Sequence, residues 1–326
     1  MQVDFCKRIC YIETLFMKKL NIAIIGIGHL GSRHLKIYSE LRDKVSIVGI
    51  CDIKAARTKK FAGHYNVPLF RNHKDLIGKV DAVSVCTPTS SHYAVAKDFL
   101  ESGIHTLIEK PITTTIEEAE KLGELAEKSN LKLQVGHVER FNSAFIAIRK
   151  LAQSPHFVEC HRLNHFSGRS LDIGVVMDLM IHDIDIILGL NVSPVKKIDA
   201  VGVKVLTPFE DIANARITFE NGCVCNLTAS RISDDVTRKI RIFTKNSYIS
   251  LDYVKQEAYI YKKFGKIITK HALPIQKEEP LKQEIEHFLD CVRNNKKPIV
   301  SAVEGRDALK MALKVTEEIW KNPKNT

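Results

Sequence analysis

From residue 20 to residue 135 the chain alternates between short apolar runs and longer segments whose apolar residues recur at helical spacing. The runs at 20–25, 45–51, 67–70, 82–86, 104–108 and 131–135 are apolar almost throughout, as strands buried on both faces are. Between them, 30–41, 55–64, 92–100 and 116–128 carry the one-sided apolar stripe of helices packed on a sheet. Strand and helix in strict alternation predict an α/β fold with a doubly wound parallel sheet.

Beyond about residue 140 the rhythm changes. Helical spacing marks 145–151 and a long segment over 171–190. Strand-like runs follow at 195–206, 213–219, 223–229, 240–243, 248–251 and 258–261, and helices close the chain at 284–292 and 304–320. Asn221-Gly222 stands between two of those runs, a strong hairpin signal. The second half is therefore expected to be an α+β domain with a mostly antiparallel sheet. Residues 1–16 carry scattered charges without a continuous apolar stretch or a small-residue cleavage site, unlike a signal peptide. A chain starting at Met17 is expected to fold and to keep its binding properties.

Composition narrows the partners. The formal net charge of +11 comes without a dense basic block, since Lys59-Lys60 and Lys196-Lys197 are isolated pairs. That distribution argues against nucleic acid and for a solvated surface that attracts phosphorylated ligands. Eight cysteines form neither a disulfide framework nor a zinc pattern, and Cys51, Cys86, Cys223 and Cys225 fall in expected strands as small core residues. Reduced thiols suit a cytoplasmic protein, and no apolar run approaches the ~18 residues of a membrane helix.

Chemistry enters at Gly26-Ile27-Gly28-His29-Leu30-Gly31, a G-x-G-x-x-G between the first strand and the first helix. In that context Gly26 permits a tight turn, Gly28 lets the backbone approach a pyrophosphate, and Gly31 lets helix and strand pack closely. Asp52 ends the second strand, where a carboxylate binds ribose hydroxyls and repels a 2′-phosphate. NAD is thus expected over NADP, with Arg57 close enough in sequence to accept a 2′-phosphate instead; a turn that binds FAD, or no nucleotide, is the other alternative. The expected organisation is an extension over 1–16, a Rossmann dinucleotide domain over 17–138, and a substrate and oligomerisation domain over 139–326.

Two further stretches carry reactive groups. Glu109-Lys110-Pro111 closes the strand at 104–108, and strand carboxyl ends are where ligands bind in such sheets. Asp178 and His182 lie four apart on the expected helix, so a carboxylate would stand beside an imidazole that it can orient and make more basic. Taken singly, Lys110 also fits a solvated lysine, and Asp178 with His182 a structural pair. His161 and His165 read as strand residues rather than metal ligands, and no metal is expected. Tyr93 and Lys97 form a Y-x-x-x-K without the rest of the short-chain dehydrogenase pattern, which makes it a coincidence.

In order and spacing, the glycine turn, Asp52, Thr87-Pro88 with His92, Glu109-Lys110-Pro111, the D-x-x-x-H stretch and the Asn221-Gly222 hairpin resemble the Gfo/Idh/MocA oxidoreductase family over nearly the whole chain from Met17. The resemblance implies that Gly26, Ile27, Gly28, His29, Leu30, Gly31, Asp52, Thr87, Pro88, His92, Glu109 and Lys110 border the dinucleotide. It implies that Lys110 stands beside the nicotinamide and the substrate hydroxyl, that His182 is the general acid and base, and that Asp178 binds or orients. It further implies a cis Lys110–Pro111 bond and a homo-oligomer, dimer or tetramer, built on the C-terminal sheet. Ile173 before Gly174 and Met180 between Asp178 and His182 depart from the family pattern and bear on the substrate pocket.

Gly136-His137-Val138-Glu139-Arg140-Phe141-Asn142, the 177–185 stretch and Ala229-Ser230-Arg231-Ile232-Ser233 are most similar to the nucleotide-sugar branch, the UDP-N-acetylglucosamine 3-dehydrogenases. Those enzymes oxidise the sugar 3-hydroxyl so that an aminotransferase can install a 3-amino group. Arg140, Asn142, Asp178 and Arg231 are the substrate-binding residues so implied; Arg140 and Arg231 would either grip a diphosphate or make internal ion pairs. The alternatives are an inositol or other sugar dehydrogenase, a biliverdin-type reductase, and an NAD-binding transcriptional regulator. The intact Lys110, Asp178 and His182 argue against the last two.

Overall fold

A computed structural model describes residues 18–168, 171–190, 193–245 and 247–321, without the side chains of residues 55–57. The 1–16 extension, the start at Met17 and the Arg57 side chain lie outside what is described. The chain forms two compact units, and it passes between them several times. One holds the described residues up to Glu109 together with Glu124–Gln134 and Phe288–Pro298; the other holds Lys110–Gly123, Val135–His287 and the residues from Ile299 on.

The N-terminal sheet has six strands: β1 (Leu20–Ile25), β2 (Val45–Cys51), β3 (Leu69–Phe70), β4 (Ala82–Val85), β5 (His105–Glu109) and β6 (Leu133–Gly136), in the order β3-β2-β1-β4-β5-β6. β1 pairs in parallel with β2 and β4, and β4 with β5. Their apolar side chains are sealed, Ile24, Ile50, Val85 and Ile108 among them, which is why the sequence shows runs and not alternation. Helices α1 (His29–Glu40), α2 (Ala55–Tyr65), α3 (Thr89–Glu101) and α4 (Ile116–Lys128) connect the strands. Strand order reverses between β1 and β4, so the carboxyl ends of those two strands border the crevice that such sheets use for ligands.

The second sheet has eight strands: β7 (Phe157–Leu163), β8 (Val195–Val203), β9 (Ile212–Phe219), β10 (Val224–Ser230), β11 (Thr237–Phe243), β12 (Ser247–Asp252), β13 (Glu257–Phe264) and β14 (Ile267–Ala272). Their order is β14-β13-β12-β11-β7-β10-β9-β8. Neighbours are antiparallel except β7 and β10. One face packs on helices through alternate residues such as Ala215, Ile217, Cys225 and Leu227 against Ile184, Ile187, Ala312 and Val315. α5 (Ser143–Ile148), α6 (Ile181–Leu188), α7 (Pro280–Arg293) and α8 (Ala302–Lys321) are the helices of this half of the chain.

The long helix expected over 171–190 is shorter and composite. Val176–Met180 is a π-helical turn that runs into α6. The element starts where it does because Glu210 caps it: the amide of Val175 donates to the Glu210 carbonyl at 2.9 Å, and that of Val176 to the Glu210 carboxylate at 3.3 Å. Gly174 leaves the room, since a Cβ there would fall 1.8 Å from Glu210 Oε1.

Candidate functional site

The glycine turn is held by its own geometry and by Asp52. Gly26 has φ +88°, and a Cβ on it would strike the Cys86 backbone at 2.7 Å; a Cβ on Gly31 would fall 1.8 Å from the Gly26 carbonyl oxygen. Gly28 has nothing within 4 Å of where its Cβ would be, so the space above the turn is open. Gly28 also provides no side-chain cap for α1, which leaves first-turn amides to face an anion. Asp52 accepts from the amides of Ile27 and Lys54, both at 2.7 Å. Its carboxylate therefore ties β2 to the glycine turn.

At the carboxyl end of β4, His92 donates from Nε2 to the Thr87 carbonyl at 2.8 Å, while Thr87 Oγ1 is buried with no hydrogen-bond partner among the described residues. A buried orphan hydroxyl beside an open glycine turn is what a bound dinucleotide would satisfy, so the residues present fit that group. His29 is exposed at the start of α1. Glu109 takes a hydrogen bond from His34 Nε2 at 3.0 Å, both groups buried. Sequence reasoning missed His34, although it lies one turn into the helix that the glycines open, where a side chain faces the sheet. His34, Cys86 and Glu109 bring possible ligand atoms within 4.8 Å of one another. The His34–Glu109 bond already pairs two of them, and three donors are one short of a closed zinc site.

In the second unit the Lys110 ammonium donates to the Asp178 carbonyl at 2.6 Å and to its carboxylate at 3.1 Å. The Lys110–Pro111 bond is cis. The π turn matters here because its widened backbone hydrogen bonding presents a carbonyl to an outside donor, as such turns do at functional sites. His182 follows on α6, half-buried as a residue and with its Nδ1 sealed. Burial, and then the charges of Lys110, Arg162, His137 and Arg238, hold its pKa well below the usual 6.5. At neutral pH the imidazole is uncharged and able to accept a proton.

The structure gives the remaining expected site residues the following partners. Asp178 does not orient His182: its carboxylate is engaged with Lys110, and His182 Nδ1 is buried without a hydrogen-bond partner among the described residues. Arg140 and Arg231 are internal. Arg140 forks onto the Asp185 carboxylate at 2.6 and 2.9 Å in space that Gly189 leaves open, and Arg231 holds the Ile173 carbonyl at 2.6 Å with Asp211 at 3.4 Å. Asn142 caps α5 by accepting from Ala144, and it donates to the Tyr253 carbonyl. All three side chains are thus engaged within the protein, the internal ion-pair alternative for the two arginines.

Other residues of the same motifs surround His182. Glu139 and Asp183 clamp Arg162 from both sides, at 2.8 Å for each closest pair, and so pin α6 next to His182. The His137 ring meets the His182 ring edge-on, 6.2 Å between centroids. His161 lies on β7 beside Glu159, and His165 lies just past that strand.

Comparison with known proteins agrees with this architecture. Residues 20–137 match the oxidoreductase family with an NAD-binding Rossmann fold, and residues 135–250 match the GFO/IDH/MocA C-terminal domain. The chain is 37% identical over 306 residues to the UDP-N-acetylglucosamine 3-dehydrogenase of Acidithiobacillus ferrooxidans, covering 92% of this chain and 97% of that protein. The solved structure of that enzyme superimposes with a TM-score of 0.88, covering 93% of this chain and 98% of the other. The scyllo-inositol 2-dehydrogenase (NAD(+)) of Bacillus subtilis is 25% identical over 325 residues, 91% of this chain and 93% of that one. With both halves matched and one relative alike from end to end, the chain belongs to the Gfo/Idh/MocA family of NAD-binding oxidoreductases.

Proposed function

We propose that this protein oxidises the 3-hydroxyl of UDP-N-acetylglucosamine to a ketone, with NAD as the acceptor. The chemistry rests on one observation: the Lys110 ammonium is held on the carbonyl and carboxylate of Asp178, four residues before His182, whose imidazole is kept neutral by burial and then by the Lys110 charge. The substrate rests on likeness to the Acidithiobacillus enzyme over 92% of the chain. A nicotinamide dinucleotide bound at the glycine turn supplies the acceptor for the hydride that leaves C3. His182 takes the hydroxyl proton, Lys110 donates to the developing alkoxide, and Asp178 keeps Lys110 in place. Gly26, Gly28 and Gly31, with Asp52, Thr87, Pro88, His92 and Glu109, are the residues we assign to the dinucleotide.

Asp52 favours NAD, because a 2′-phosphate would bring negative charge against its carboxylate. The natural enzyme is expected to reduce NAD in preference to NADP, and Asp52→Ala to narrow that gap. Rates with both cofactors check this, and tighter NADP binding by the unaltered enzyme would contradict it. The same assay, run on UDP-sugars, inositols and free sugars, tests the substrate. Activity confined to polyols would reject the nucleotide sugar.

Buried thiols outside any disulfide at Cys51, Cys160, Cys223, Cys225 and Cys291 fit a cytoplasmic setting. Val201, Val203, Val205 and Leu206, exposed on and after β8, fit burial in a homo-oligomer. The 3-keto product suits an aminotransferase as the next enzyme.

A further inference from the structure

A nucleotide sugar carries its diphosphate only a few bonds from the carbon to be oxidised, so a cation is needed close to His182. Arg140 and Arg231 hold internal groups. β11 pairs with β7 in a register that sets Arg238 directly opposite Arg162. Directly opposed residues of an antiparallel pair project to the same face. On that face Arg162 grips Asp183, the residue next to His182 in the chain. Arg238 therefore lies beside the Arg162–Asp183 pair, and Asp183 follows His182 directly in the chain. Arg162 is sealed, whereas Arg238 is partly exposed. Its Nη2 reaches Asn164 Oδ1 at 3.4 Å, just past the end of β7, which steadies the guanidinium.

We propose that Arg238 receives the sugar-linked diphosphate and thereby selects a nucleotide sugar over a free sugar or polyol. A guanidinium carries five N–H donors in a fork that matches two phosphate oxygens at once. The net charge of +11 draws such anions toward the protein. This assignment rests on the nucleotide-sugar reading of the substrate, and it gives Arg238 a role in binding rather than in hydride or proton transfer.

The test compares the full-length enzyme with Arg238→Gln and Arg238→Lys at saturating NAD. KM for UDP-N-acetylglucosamine and the affinity for UDP alone, measured by calorimetry, are the readouts. Arg238→Gln is expected to weaken both by about 10–100-fold, the range for losing hydrogen bonds to a charged group. Arg238→Lys should recover part of the loss, with NAD affinity unchanged in both. UDP should also shield Arg238 from arginine-specific modification in the unaltered enzyme, a readout that needs no variant. Unchanged KM and UDP affinity in Arg238→Gln, while the unaltered enzyme turns over the nucleotide sugar, would overturn the assignment alone. So would a loss confined to kcat, which would make Arg238 only a modulator of His182. An unaltered enzyme that oxidises polyols but no UDP-sugar removes the substrate reading, and this assignment with it.

Discussion

Replacing His182 with alanine lowers turnover by about 10²–10⁴-fold, the usual cost of removing a positioned general base, and leaves NAD binding intact. The size follows from the state of the ring. Burial first, then the cations around it, keep the imidazole neutral at pH 7, so it is ready to accept the hydroxyl proton. Its folded pKa lies below 6.5, and the acceptor is lost only when pH falls through that lower value. For the unaltered enzyme kcat/KM in the oxidative direction should hold through pH 6.5 and decline only well below it. In His182→Ala the acid limb should vanish along with most of the rate. A variant with full activity, or one that retains the limb, would assign the proton to another group.

Lys110→Ala should cost about 10²–10³-fold in turnover, through loss of the donor that stabilises the alkoxide. It carries a second signature. The Lys110 charge helps to depress the His182 pKa. Without it the imidazole is easier to protonate, and the acid limb should move to higher pH. His182→Ala removes the limb and Lys110→Ala displaces it, so pH profiles separate a proton acceptor from a charge stabiliser even where the rates are alike. Full activity, or a limb that stays where it was, would exclude this role for Lys110.

The N-terminal sheet was legible because parallel strands buried on both faces announce themselves as apolar runs. The expected limits of β1 and β2 coincide with those observed, and β4, β5 and β6 differ by one or two residues. β7 escaped because Arg162 stands at an inward position of its alternation; the ion pairs of Arg162 with Asp183 and Glu139 make that charge tolerable in a buried strand. β14 escaped because an edge strand exposed along almost its whole length has no apolar alternation to read.

Within the site, Lys110, Asp178 and His182 could be picked out by spacing, yet the partner of Asp178 could not. A π turn shifts which residues share a face, and Lys110 arrives from 68 residues away. Whether Arg140 and Arg231 grip a diphosphate or pair internally could not be read from the sequence, because their partners, Asp185 and Asp211, lie 45 and 20 positions off and only the fold brings them near. Arg238 carries no local signal at all. Its place beside the Arg162–Asp183 pair follows from strand register, which the sequence of β11 does not encode by itself.

Transfer of an isotope from the substrate reports on the central claim without relying on any variant. UDP-N-acetylglucosamine carrying deuterium at C3 is incubated with the enzyme and NAD, the 3-keto product is trapped, and the reduced cofactor is weighed by mass spectrometry. Oxidation at C3 by direct hydride transfer predicts reduced NAD heavier by one deuterium, together with a slower rate than with the unlabelled sugar. Reduced NAD without deuterium, or none formed while an inositol is readily oxidised, would contradict it.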